Sequence, residues 1–189
     1  IITMQESDYV GGSTLNVPVG EKFTVREVFN ALLVGSKNNC AEALVRATGI
    51  PRDRFIELMN ERAMKLGLTE THFVEPAGLN SDNVSSAAEM VLVAREAFKN
   101  FDVLKASTTK RFTLTGVDSR KKYTVVSTSA PILSRDLHIT GTKTGHITSL
   151  GYNLVTQAKT TKKELIALVL GADENKNYDE VYKLLKKYL

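Results

Sequence analysis

Gly151-Tyr152-Asn153-Leu154-Val155-Thr156-Gln157-Ala158 alternates apolar and polar residues, and six apolar residues, Leu165 to Leu170, follow Glu164 a few positions later. Alternation with a period of two is the mark of a strand with one covered face. The unbroken run reads as a strand buried on both faces, and Lys159-Thr160-Thr161-Lys162-Lys163 as the turn that makes the two an antiparallel hairpin. Upstream, Phe112 and Leu114, then Tyr123 and Val125, alternate around a polar turn from Gly116 to Lys122. Everything before Arg111 has a different period.

Thr24-Val25-Arg26-Glu27 has capping-box spacing, with Phe23 and Val28 placed as a hydrophobic staple. The helix it opens carries Val28, Phe29, Leu32 and Leu33 as its expected buried face and ends near Gly35-Ser36. A second helix from about Asn38 buries Cys40, Ala41, Leu44 and Val45. A third follows Pro51 through Phe55, Leu58, Met59, Ala63 and Leu66, with Gly67 as a left-handed cap. His72 to Asn83 reads as a long loop. Ser86-Ala87-Ala88-Glu89 reads as another capping box, opening a helix with Met90, Val91, Val93, Ala94 and Phe98. A last helix, about 178–188, sets Val181, Leu184 and Leu185 on one side, with Tyr182 and Tyr188 also packing inward. Helices, then antiparallel strands, then a closing helix define an α+β fold. The expected division is a helical lobe at about 24–100 and a sheet with its closing helix at about 108–189.

Composition narrows the function classes. The chain has 189 residues, 42% of them apolar, which suits one domain with a real core. Its net charge is +4, with lysines scattered apart from Lys162–Lys163 and Lys183, Lys186 and Lys187, so no basic stripe points to nucleic acid. No apolar run reaches 18 residues, the least that reads as a spanning helix. Cys40, the only cysteine, excludes an intrachain disulfide and reads as inert core. His72 and His138 have no metal-ligand spacing around them and read as structural.

Two short motifs carry chemistry: Ser36-Lys37-Asn38, between two helices, and Lys143-Thr144-Gly145, followed by His146. Alone, a Ser-x-Asn occurs by chance about once in every few chains of this length, and Ser and Asn also suit helix caps. In context, Gly35-Ser36-Lys37-Asn38-Asn39-Cys40-Ala41-Glu42-Ala43-Leu44 resembles the second motif of the serine D-alanyl-D-alanine carboxypeptidases of the low-molecular-mass penicillin-binding type. Gly67 to Val74 and Pro76-Ala77-Gly78-Leu79 are similar to the stretch that follows in that family. Gly141 to His146, then Gly151 to Val155, resemble its third motif and next strand.

The resemblance implies a β-lactamase/transpeptidase-like domain, an antiparallel sheet packed against a helical lobe with the site between them. It implies removal of the terminal D-Ala from a peptidoglycan stem peptide through a serine acyl-enzyme, without metal or cofactor, on the outer side of a bacterial membrane, with β-lactams as inhibitors. Lys143 and Thr144 would hold the substrate carboxylate, Gly145 would allow close backbone approach, and the His146 amide would donate to the oxyanion. A catalytic His146 ring is the lesser alternative. Ser36 would relay a proton to the leaving amine, and Asn38 would hold the substrate amide.

Two departures stand out. The family's nucleophile lies in a Ser-x-x-Lys motif tens of residues before Ser-x-Asn, and none of the 35 residues before Ser36 reads so. Ser107-Thr108-Thr109-Lys110 and Ser119-Arg120-Lys121-Lys122 match the pattern but fall in an expected strand-and-turn region, where i and i+3 face opposite ways. The expectation is therefore a domain without its N-terminal part, with Leu165 to Leu170 left uncovered, unstable alone or completed by a separate N-terminal segment. A non-enzymatic module that holds muropeptides or a partner is the rival. A β-lactamase is disfavoured because no deacylating Glu is recognisable. The second departure is Thr128-Ser129-Ala130, where related carboxypeptidases often place a basic residue.

Overall fold

The computed structural model describes residues 1–189. Strand β1 (Ile2–Thr3) pairs with β2 (Lys22–Phe23), and helices α1 (Val25–Gly35), α2 (Asn38–Ala47), α3 (Arg52–Lys65), α4 (Ala87–Ala97) and α5 (Phe101–Ser107) follow. The hairpin β3 (Arg111–Thr115) and β4 (Lys122–Val126) comes next, then the short α6 (Ala130–Leu133). A three-stranded antiparallel sheet, β5 (Ile139–Ile147), β6 (Gly151–Lys159) and β7 (Glu164–Ala172), is closed by α7 (Lys176–Tyr188). The α+β reading holds, but the strands after Arg111 form two separate sheets.

Two apolar cores explain the separation. In the first, Met4, Leu15 and Phe23 of the N-terminal stretch meet Val28, Ala31 and Val34 of α1, Cys40 and Ala43 of α2, and Leu114 and Val125 of the hairpin. The β3–β4 hairpin thus packs with the helices. In the second, Leu154 and Ala158 of β6 and Ile132 of α6 pack on Val181 and Leu185 of α7.

The Thr24 box forms as read: the Thr24 hydroxyl accepts from the Glu27 amide, and the Glu27 carboxylate accepts from the Thr24 amide at 2.9 Å. The buried face of α1 is Val28, Ala31 and Val34, however, and Phe29 and Leu32 line an apolar groove between helices. The Ser86 box is only half a box. Ser86 caps the Glu89 amide, but the Glu89 carboxylate turns away to accept from the Thr69 and Glu70 amides and from the Thr71 hydroxyl at 2.6 Å. These bonds outweigh the cost of its burial and hold its pKa below the ordinary carboxylate value.

Three further expectations are corrected. Leu165 to Leu170 is not buried on both faces: β7 is an edge strand, Leu165, Ala167 and Val169 pack toward α7, and Leu170 is exposed. Leu184 and Tyr188 face solvent, because the covered stripe of α7 runs through Asn177, Val181 and Leu185, with Tyr178 and Tyr182 packing beside it. Ser107 ends helix α5 instead of lying in a strand.

Candidate functional site

The six residues singled out by sequence, Ser36, Asn38, Lys143, Thr144, Gly145 and His146, line one cleft of about 660 Å³. Two walls make it. One is the junction of α1 and α2 with the loop before them; the other is β5, the sheet edge on this side.

The helical wall is built around Ser36, which stops α1 in a left-handed conformation (φ 52°, ψ 45°). Non-glycine residues pay for that geometry and keep it mostly where a site needs it. The turn it makes aims the hydroxyl across the cleft. Loop 11–15 is stitched beneath: the Asn38 amide donates to Ser13 O at 2.7 Å, and Asn39 bonds both the amide and the carbonyl of Leu15, at 2.8 and 3.0 Å. Lys37 reaches Ser13 Oγ at 3.1 Å, which explains why the middle residue of the motif points away from the opposite wall. Asn38 Nδ2 donates to Gly11 O at 3.2 Å. Gly12, at φ 64°, lets the loop come this close, since a Cβ there would lie 2.4 Å from Asn38 Nδ2.

The strand wall is set by the end of α4, by α5 and by β6. Gly141 packs on the Phe98 ring, where a Cβ would sit at 2.7 Å. Thr142 is fully buried and shares its hydroxyl with Thr156 at 3.1 Å, and its amide points at Ser107 Oγ at 3.4 Å. With Thr142 turned inward, period two turns Lys143 the other way, toward the helical wall. Its ammonium donates to Ser36 Oγ and to Thr144 O, both at 2.6 Å. No carboxylate pairs with it, and burial lowers its pKa to about 8. The Thr144 hydroxyl pairs with that of Thr128 at 2.6 Å. At Gly145 no protein atom lies within 3.6 Å of a would-be Cβ, so the fold itself does not demand glycine there. The exposed His146 ring stacks on Tyr152, with centroids 4.0 Å apart.

A lysine bridging a strand edge and a serine hydroxyl, with no acidic partner, has the chemistry to accept a carboxylate beside a hydroxyl that can carry a proton. A sequence description of the D-alanyl-D-alanine carboxypeptidase family matches residues 2–174. The chain belongs to that family.

Among curated members, the chain is 34% identical over 155 residues to a D-alanyl-D-alanine endopeptidase of Haemophilus influenzae, covering 82% of this chain and 52% of that protein. It is 30% identical over 185 residues to the D-alanyl-D-alanine carboxypeptidase DacF of Bacillus subtilis, covering 97% and 47%. It therefore spans about half the length of the curated relatives it matches. A mutant of the Streptomyces K15 DD-transpeptidase superposes with a TM-score of 0.87 at 28% identity, over 99% of this chain and 78% of that one. A Mycobacterium tuberculosis D-alanyl-D-alanine carboxypeptidase shares the fold, with a TM-score of 0.84 at 21% identity over 100% and 74%.

Neither Ser-x-x-Lys match lines the cleft of this family member. Ser107 is buried and bonded to Leu104 O while Lys110 is exposed; Ser119 bonds Glu21 at 2.9 Å and Lys122 is exposed. Sequence reasoning missed Ser13, Tyr152, Asn177 and Tyr178, which also line the cleft. Ser13 sits in a glycine-containing loop with no periodic signal, and the α7 residues lie more than 30 positions past Lys143. In the sequence Thr128 stands out only as a position without the basic residue that related carboxypeptidases often carry.

Ser36 permits a direct check. At a left-handed position Ser36→Gly should be more stable than Ser36→Ala by about 1 kcal/mol in urea denaturation. Both lose the Lys143 contact. Equal stabilities would mean that the turn relaxes when the hydroxyl is removed.

Proposed function

We propose that this chain forms the substrate-holding walls of a serine D-alanyl-D-alanine carboxypeptidase acting on peptidoglycan stem peptides. The observation that carries this reading is the Lys143 ammonium, 2.6 Å from Ser36 Oγ and with no acidic partner, at the mouth of the helix junction. The peptide's terminal carboxylate takes its place against Lys143 and the Thr144 hydroxyl. Asn38, whose Nδ2 is held by Gly11 O, offers its Oδ1 to the substrate's amide N–H. A serine of a Ser-x-x-Lys segment outside these 189 residues attacks the penultimate carbonyl carbon. The C–N bond then breaks, and the leaving D-Ala amine takes a proton through Ser36. Water hydrolyses the resulting ester, returning the serine and a carboxylate. The His146 amide serves as an oxyanion donor and its ring, stacked on Tyr152, as part of the wall. No helix of the chain is long and apolar enough to cross a membrane. On this reading the protein works where peptidoglycan is, on the outer side of the bacterial membrane.

A second reading has its own support in the cleft, which neither Ser-x-x-Lys match of this chain reaches. On that reading the protein holds stem peptides or a partner and never acylates. Fluorescent penicillin applied to the product of the complete reading frame separates the two. An adduct that survives denaturation, with release of D-Ala from an acyl-D-Ala-D-Ala peptide, is the expected result. Reversible binding that needs Lys143 selects the holding module, rapid penicillin turnover a β-lactamase, and no binding sinks the site.

A further inference from the structure

Ala77, Gly78 and Leu79, from the stretch that follows the third helix, line the cleft together with Asn38. The loop that carries them runs from His72 to Val84, whose backbones exchange two bonds at 2.9 Å and close its base. A compact loop with closed ends is held by its own side chains. Asn60 of α3 grips the base, accepting from the Phe73 amide at 2.8 Å and donating to Phe73 O at 2.7 Å. Asn83 reaches across it to accept from the Val74 amide at 2.7 Å. The tip depends on one side chain. The Glu75 carboxylate accepts from the Ala77 and Leu79 amides, both at 2.6 Å, from the Asn80 amide at 3.2 Å and from Asn83 Nδ2 at 2.7 Å. Gly78, at φ 82°, gives the left-handed turn that lets both neighbouring amides face it. No other protein group accepts from those three amides.

Leu79 carries this hold to the site. A Cβ on Gly12 would lie 2.8 Å from Leu79 Cδ2 and 2.4 Å from Asn38 Nδ2, so both side chains pack on the same bare backbone. Gly11, next to it, accepts the Asn38 Nδ2 bond. We propose that Glu75 is a positioning residue for the cleft: it holds Leu79 on Gly12 and so fixes the orientation of the Asn38 amide. This role rests on Asn38 as the holder of the substrate's amide. Without the carboxylate the tip loses four bonds, Leu79 leaves Gly12, and the segment that orients Asn38 loosens.

Calorimetric binding of acetyl-D-Ala-D-Ala to the full chain, with amide hydrogen exchange on the same samples, tests this. Glu75→Ala should bind about 5- to 10-fold more weakly, the worth of one misplaced hydrogen bond. Its Ala77, Leu79 and Asn80 amides should lose their protection. In an Asn38→Ala background the same substitution should cost no affinity, because the group it positions is gone. The isosteric Glu75→Gln keeps one acceptor oxygen and should fall between the parent and Glu75→Ala; it carries the same test if the alanine variant does not fold. Unchanged affinity, or unchanged protection of the three amides, overturns the role. A loss that persists in full beside Asn38→Ala means that the loop meets the peptide directly, and overturns it too. If the parent does not bind, or Asn38→Ala binds as the parent does, the amide-holding reading has failed and the role falls with it, whatever the exchange shows.

Discussion

Lys143→Met lowers the affinity for an acyl-D-Ala-D-Ala peptide on the order of 100-fold, the upper range for a lost charge-assisted bond. The ammonium meets only neutral oxygens, Ser36 Oγ and Thr144 O, so its charge is uncommitted until a carboxylate arrives. The same fact sets the pH profile. With its pKa lowered to about 8, the free lysine is charged below that pH and neutral above it, while the peptide carboxylate stays ionised. Affinity should be flat from pH 6 to 7 and fall by about tenfold per unit above 8. Stability moves the opposite way. The folded lysine releases its proton near 8, but the unfolded one holds it to about 10.4. The unfolded chain therefore binds more protons between those values, and the fold gains stability as pH rises through them. Methionine, of similar length and uncharged, should be at least as stable as lysine at pH 6. A binding constant unchanged by Lys143→Met would remove the carboxylate role.

Arg46→Leu destabilises the fold by about 3 kcal/mol, read as a shift in the urea midpoint. Asp8 is 1% exposed, and Arg46 grips it with two bonds, at 3.0 and 2.9 Å, while the same guanidinium holds Thr3 O at 2.7 Å. Removing the arginine leaves a carboxylate enclosed with only the Gln5 amide, at 2.8 Å, to serve it. The arginine is itself partly solvated, which puts the loss at the lower end of the range for a broken buried pair. Adding Asp8→Asn to Arg46→Leu should recover much of it, because a neutral amide costs far less to enclose. The effect reaches the site, since the turn at Glu6–Asp8 leads into loop 11–15, the floor under Ser36 and Asn38. A single-variant loss below 1 kcal/mol would mean that water replaces the guanidinium.

Much of this was legible in the sequence, and the reasons differ by element. Thr24 and Glu27 act within one helical turn, so spacing alone determines their bonds. The Ser86 box failed halfway because Glu89 found three donors at Thr69 to Thr71, a contact no local pattern can announce. The apolar run Leu165 to Leu170 looked doubly buried, but apolar content does not say whether a strand is central or at an edge. The α5 helix was missed because Phe101, its largest apolar residue, faces solvent and blurs the period. In the cleft, motif residues were readable because they cluster in sequence. Asn177 and Tyr178 were not, since only the closing of α7 over the sheet brings them there.

Thr128 has one further consequence. Its amide donates to Val34 O at the end of α1, its carbonyl accepts from Tyr178 of α7, and its hydroxyl meets Thr144 of β5. One residue thus rivets both walls of the cleft and the helix that backs them. The gap between Ser36 and β5 is set before any peptide enters, so binding spends little free energy on closing it. A stiff cleft of this kind discriminates by shape: a peptide too wide for the gap is refused outright instead of being accommodated at a cost.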